Sequence, residues 1–119
     1  DNGISWLLPR LIGKSQALKM ILTGDEVNAD EAYRIGLADD IAPDNEALEK
    51  AMILARKIAA NPPATVELSK RAVLKGLQTD LVSQAEYEEY IQSIARETED
   101  FKEAALARQE KRIPEFKGI

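Results

Sequence analysis

The sequence predicts an all-α protein of about six or seven helices, and three features of its composition and pattern point to that class. Alanine and leucine are abundant, whereas aromatic residues make up only 5% of the 119 positions. Apolar residues recur at three- and four-residue intervals over most of the chain, which is typical of amphipathic helices. The one Pro-Pro pair, Pro62-Pro63, lies between two such periodic segments. Helix-forming residues therefore outweigh those typical of sheets.

The chain opens with a turn followed by a short apolar helix. The run Asp1-Asn-Gly3 favours a turn, because glycine tolerates backbone angles that other residues avoid. The segment from Ile4 to Ile12 is apolar on too many sides for a surface helix, so we expect a buried helix whose regularity is limited by Pro9. Gly13 is expected to end it.

Two further helices are predicted before residue 37. The segment from Lys14 to Thr23 has apolar residues at helical spacing, and Gly24 stands where a left-handed C-terminal cap belongs. The run Asn28-Ala-Asp-Glu31 resembles a capping box, in which each end side chain bonds the other residue's backbone amide. It should open a short helix that ends at Gly36.

The middle of the chain combines an ambiguous segment with a clear helix. Residues 37–42 precede Pro43 and predict either a short edge strand or an irregular connector. The segment from Asn45 to Ala60 predicts an amphipathic helix that Pro62-Pro63 ends. Its apolar stripe consists of Leu48, Ala51, Met52, Ala55, Ile58 and Ala59.

The last third of the chain predicts three helices and a basic tail. We expect a helix from about Ala64 to Lys75 ended by Gly76, and a long one from Asp80 to about Glu99. A shorter helix should restart at Asp100. The apolar stripe of the long helix is Tyr87, Tyr90, Ile91, Ile94 and Ala95, and the inward residues of the last are Phe101, Ala104, Ala105 and Leu106.

Composition limits the classes of function. One domain is expected at this length, and the formal net charge of −5 argues against a nucleic-acid or anionic-membrane partner. The chain has neither cysteine nor histidine, so thiol chemistry and the commonest general base are absent, and no metal site is predicted. No apolar run approaches the roughly 20 residues that a membrane span requires. We therefore expect a soluble protein in the cytoplasm, where cysteine-free chains need no disulfides.

Asp1 is the first candidate for chemistry. Gly3 and the apolar residues after it would set its carboxylate in a turn beside a hydrophobic wall, and desolvation there would raise the proton affinity of the carboxylate. An aspartate ahead of a helix also commonly serves as an N-terminal cap, and the residues alone leave both interpretations open.

The motifs of the chain resemble the crotonase superfamily of enoyl-CoA hydratases and isomerases. The similarity lies in the run Asp1-Asn-Gly-x-x-Trp-Leu-Leu-Pro-Arg-Leu-Ile-Gly13, in Leu22-Thr-Gly24 and in Ala32-Tyr-Arg-Ile-Gly-Leu37, and it covers the whole chain. It is closest to isomerases of phenylacetyl-CoA intermediates. The resemblance implies that residues 1–119 form the C-terminal helical region of a subunit whose N-terminal spiral core is absent from this chain.

The resemblance also implies site residues. Asp1 and Gly3 match the Asp-x-Gly turn whose aspartate, in the isomerases, moves a proton along the carbon chain of a thioester. In a related branch an aspartate is the nucleophile of a dehalogenation, so Asp1 is a candidate base or nucleophile. Trp6 and Leu7 would form pocket walls. Lys111 occupies the place of a lysine that approaches the phosphates of coenzyme A, whereas Arg108 departs from the aromatic residue usual at its position.

Partners follow from the same resemblance. The implied substrate is an acyl-CoA thioester, with no cofactor beyond the coenzyme A that it carries, and the implied assembly is a trimer or a dimer of trimers. The two backbone donors that stabilise an enolate oxygen belong to the absent core, so this chain alone should be inactive. The alternative is a non-catalytic helical oligomerisation module, for which the stripe of Tyr87, Tyr90, Ile91 and Ile94 is the support.

Overall fold

The computed structural model describes residues 2–119 and confirms the all-α prediction: the regular structure in this range is helical, and no strand occurs there. The helices are α1 (Ile4–Ile12), α2 (Lys14–Thr23), α3 (Ala29–Arg34), α4 (Ala47–Ala59), α5 (Pro63–Gly76), α6 (Leu81–Glu97) and α7 (Glu99–Glu110). The chain divides into two compact units, Asp1–Lys50 and Ala51–Ile119. Among the described helices, none is both long and apolar enough to cross a membrane.

The first unit is organised by the packing of α1 against α2. Its buried cluster consists of Leu8, Ile12 and Ala17, with Met20 and Ile35 packed against it. Burial on most sides of α1 was expected, but that expectation is wrong for this chain. Only one side of the helix faces α2, so Leu8 and Ile12 are buried while Ile4 and Leu11 are exposed.

The second unit is organised by α5, α6 and α7, which pack in sequence. One side chain from each helix is buried: Ala72, Ile91 and Ala107. Two of the three are alanines, which let neighbouring helices approach closely. The segment after α7 runs back along it, since the backbone N–H of Glu99 donates to the carbonyl oxygen of Ile119 at 2.9 Å.

The predicted apolar stripes form, but this chain covers them only in part. None of the thirteen residues of α4 is buried. On α6, Tyr87 and Ala95 are half-buried, whereas Tyr90 and Ile94 are exposed. On α7, Phe101, Ala105 and Leu106 were predicted to face inward and are exposed, because the buried contacts of that helix are made by Asp100 and Ala107.

The helix caps refine the predicted boundaries. Asn28 caps α3 by accepting from the Glu31 N–H at 2.9 Å, but the Glu31 carboxylate pairs with Arg34 instead of completing the capping box. Thr98 accepts from the Phe101 N–H at 3.1 Å, so α7 begins one residue before the predicted Asp100. Residues 37–42 form bends and irregular backbone. Of the two predicted alternatives, the irregular connector is therefore correct and the edge strand is not.

Candidate functional site

The predicted turn ahead of α1 is present at Asn2 and Gly3. Both residues have left-handed backbones, with φ of 52° and 84°. The Gly3 carbonyl accepts from the backbone N–H groups of Trp6 at 3.0 Å and Leu7 at 2.9 Å, so the turn leads directly into the helix. Asp1, the predicted catalytic residue, lies outside the described residues.

Trp6 and Leu7, the predicted pocket walls, are successive residues of α1 and both are exposed. Trp6 is 47% exposed and Leu7 is 50% exposed, whereas Leu8 beside them is only 5% exposed. One face of α1 thus contacts α2. The first part of the helix, after Gly3, exposes a second apolar surface at Trp6 and Leu7. Such a face can contact an apolar ligand or a further part of the protein.

Arg10 holds the indole of Trp6 from one helical turn away. Its guanidinium carbon lies 3.8 Å from the centre of the indole ring, and its Nη1 donates to the Trp6 carbonyl at 2.8 Å. Pro9 has no N–H to donate to the Ser5 carbonyl, and the side chain of Arg10 adds a hydrogen bond at the next carbonyl along, that of Trp6. A stacked guanidinium restricts the rotation of the ring.

Lys111, the predicted contact for coenzyme A, stands at the C-terminal end of α7. Its backbone is left-handed, with φ of 56°, and its N–H is shared between the carbonyls of Ala107 and Arg108. The side chain is exposed. Trp6 and Leu7 belong to the first unit and Lys111 to the second.

Glu103 and Arg112 form an ion pair immediately after Lys111. The two guanidinium Nη atoms of Arg112 donate to the two carboxylate oxygens of Glu103 at 2.5 and 2.8 Å, while its Nε donates to Glu110 at 2.6 Å. Glu103 also accepts from the Glu115 N–H at 2.8 Å. These donors, Arg112 first, lower the pKa of Glu103 from 4.5 to about 2, and the two carboxylates raise the pKa of Arg112. We call this set of contacts the tail clamp.

Asp100 anchors the last residues of the tail. Its carboxylate is buried, at 1% exposure, and its two oxygens accept from the backbone N–H groups of Lys117 at 2.7 Å and Gly118 at 2.8 Å. A buried carboxylate that is bonded at both oxygens fixes the backbone opposite it. The segment that follows Lys111 is therefore tied to α7 at two points along the helix.

The sequence interpretation missed three of these residues. The pairing of Arg10 with Trp6 had a local signal, because residues four apart share a helix face. Asp100 and Glu103 had none, since their partners lie nine or more residues along the chain. Among residues 2–119, no group of three or more acidic side chains is placed to hold a metal ion.

Comparison with known proteins decides the family. The sequence profile of enoyl-CoA hydratase/isomerase matches residues 1–119. The chain belongs to the enoyl-CoA hydratase/isomerase family. YngF of Bacillus subtilis is 41% identical over 112 residues, which are 94% of this chain and 43% of that protein. The 1,2-epoxyphenylacetyl-CoA isomerase of Escherichia coli is 31% identical over 99% of this chain and 45% of its own length.

Solved structures of the enoyl-CoA hydratase/isomerase family are similar to this chain. The enoyl-CoA hydratase of Bacillus anthracis superposes with a TM-score of 0.94 at 38% identity, over 98% of this chain and 45% of that one. The chain thus spans less than half the length of the relatives it matches. These relatives include proteins named as hydratases and as isomerases, so the family is established and the reaction is a separate question.

Proposed function

We propose that the whole protein shifts a double bond in an enoyl-CoA thioester, or adds water to it, through a stabilised enolate. This chain would supply part of the substrate site, and the rest of the protein would supply the two N–H donors for the thioester oxygen. The observation that carries the proposal is the exposed apolar pair Trp6 and Leu7, which lies three and four residues after the left-handed turn at Gly3. Membership of the family supports an acyl-CoA thioester as the substrate class.

Each predicted site residue has a separate proposed role toward the substrate. Asp1 would act as the base that takes a proton from the carbon chain and returns it elsewhere, or as a nucleophile if the reaction is a dehalogenation. Trp6 and Leu7 would contact the acyl group, and Lys111 would pair with a phosphate of coenzyme A. We also propose that the whole protein assembles as a trimer or a dimer of trimers.

The test is an assay of the whole protein with enoyl-CoA substrates. An isomerase product keeps the mass of the substrate, whereas a hydratase product gains one water, so mass spectrometry separates the two reactions. Replacing Asp1→Asn should lower kcat by about 10²- to 10⁴-fold, the usual contribution of a positioned base. Asp25→Asn is a matched control, because Asp25 is an exposed aspartate in the same unit.

Two outcomes would contradict the proposal. Full turnover by the Asp1→Asn variant would remove Asp1 from the chemistry. A whole protein without turnover on any acyl-CoA would favour the alternative, a non-catalytic helical oligomerisation module. That alternative has its own support in the exposed Tyr90 and Ile94 of α6, which could meet another subunit. The 119-residue chain by itself is expected to show no turnover.

A further inference from the structure

We propose that Glu103 is a positioning residue for Lys111: through Arg112, it holds the turn from which Lys111 reaches an oxyanion of coenzyme A. This inference rests on the proposed role of Lys111 in substrate binding. It adds a residue that makes no contact with the ligand and acts only through the backbone of its neighbours.

The turn at Lys111 ends α7 in a left-handed cap that Arg112 helps to close. A left-handed backbone is unfavourable for a residue with a β-carbon, although at the end of α7 it lets the N–H groups of Lys111 and Arg112 bond the last carbonyls of the helix. The Lys111 N–H is shared between the carbonyls of Ala107 and Arg108, the latter at 3.4 Å, and the Arg112 N–H donates to the Ala107 carbonyl at 3.0 Å. Fixing Arg112 therefore fixes Lys111.

Glu103 holds the tail that follows this turn. It faces the guanidinium of Arg112 in a two-point pair and also accepts from the Glu115 N–H, so the tail is held directly after Lys111 and again three residues beyond Arg112. The Glu103 side chain is 21% exposed and that of Arg112 is 38% exposed, which makes this the least exposed ion pair of the described residues. A planar guanidinium paired at two atoms has little freedom to rotate.

Lys111 itself takes no part in the described ion pairs. Its neighbour Glu110 is paired with Arg112 instead. Lys111 is thus an exposed cation on the left-handed turn, open to an anionic ligand. Lysine is a common partner of phosphate groups.

The experiment measures the Kd of free coenzyme A for the whole protein and its variants. Electrostatics and positioning predict opposite changes in this Kd for the Glu103→Gln variant. Removing a negative charge near Lys111 should strengthen the binding of an anion, whereas loosening the turn should weaken it. We expect Kd to rise about two- to fivefold, the range that a loss of one surface ion pair allows. Arg112→Gln tests the other half of the clamp and should act in the same direction.

Two controls separate positioning from charge. Glu115→Gln removes the same charge from the tail, but the clamp uses only the backbone N–H of Glu115, so Kd should stay constant or fall slightly. In a Lys111→Ala background, Glu103→Gln should have no further effect on Kd, because its action passes through Lys111. Hydrogen exchange at the Glu115 amide should quicken in Glu103→Gln and not in Lys111→Ala.

The outcomes distinguish this inference from the function on which it rests. An unchanged or lower Kd in Glu103→Gln, with Kd raised in Lys111→Ala, would overturn the positioning role and leave the proposed function intact. An unchanged Kd in Lys111→Ala would contradict the proposed contact with coenzyme A and the positioning role together. Additive effects in the double variant would show that Glu103 acts by another route.

Discussion

Asp100 is a buried carboxylate that bonds two distant segments of a chain with a small core. Its two oxygens accept from Lys117 and Gly118, and its own N–H donates to Ile119 at 3.3 Å. Both N–H groups would lose a charged acceptor if the carboxylate were replaced, and a carboxamide would bring a donor against one of them. The residue therefore joins the start of α7 to the end of the tail.

We predict that Asp100→Asn lowers the free energy of unfolding by about 2–4 kcal/mol, since hydrogen bonds to a charged group contribute roughly 1.5–3 kcal/mol each. Urea unfolding followed by circular dichroism measures the change. Asp39→Asn is the matched control, because Asp39 is exposed, and surface substitutions usually alter stability by less than about 0.5 kcal/mol. A loss as small as that of the control would mean that the anchor contributes little.

At the scale of the element, the tail clamp is sensitive to acid. The pKa of Glu103 is about 2 in the folded chain, against an ordinary value of 4.5, because Arg112 and the Glu115 N–H favour the carboxylate. Folded protein thus binds the proton less readily than unfolded protein does. The contribution of the clamp is complete above about pH 4.5 and is lost as the pH falls through about 2.

We predict that the carboxyl carbon resonance of Glu103 titrates with a midpoint near 2, as followed by nuclear magnetic resonance. In an Arg112→Gln variant the midpoint should move up toward 4.5, because the main cause of the lowered pKa is gone. A midpoint that is the same in both proteins would show that Arg112 does not pair with Glu103 in solution. Lys117 also favours the carboxylate and stays in both proteins.

The helices could be predicted from the sequence where their signals are local. Residues Ile4 to Ile12 and Lys14 to Thr23 form helices with the expected limits, because Gly3, Gly13 and Gly24 adopt left-handed φ values at their ends. The start of α7 was placed one residue late, since Asp100 was read as the start and Thr98 is the cap. The predicted residues Trp6 and Lys111 are exposed. The contacts around Lys111 could not be predicted from local sequence, because Glu103 bonds Arg112 and the Glu115 N–H, nine and twelve residues along the chain.

At the scale of the whole molecule, the uncovered apolar surface of α4 is the main feature. None of its residues is buried, and Leu54 is 60% exposed. The chain spans about 43% of the length of relatives such as YngF, so a surface that this chain leaves open is available to other parts of a longer protein or to another copy. Apolar patches of this kind promote association in water.

We predict that the 119-residue chain self-associates, which sedimentation velocity over a range of concentrations would reveal as a rising mean mass. Leu54→Glu should reduce the association by placing a charge in the apolar surface of α4. Lys57→Gln is the control, because it lowers the net charge by the same one unit at a position of the same helix that is already exposed and charged. A monomer at every concentration would contradict the prediction, and equal effects of both changes would assign the association to net charge.

The pairing of Trp6 with Arg10 gives the chain an optical probe of its own. Trp6 is the only tryptophan among the 119 residues, so all indole emission comes from one place on α1. A guanidinium lies 3.8 Å from the ring centre on one side, and nearly half of the side chain remains open to solvent. Any molecule that binds to this face replaces water around the indole of Trp6. Its binding then changes the wavelength and the intensity of the indole emission, so no added label is needed.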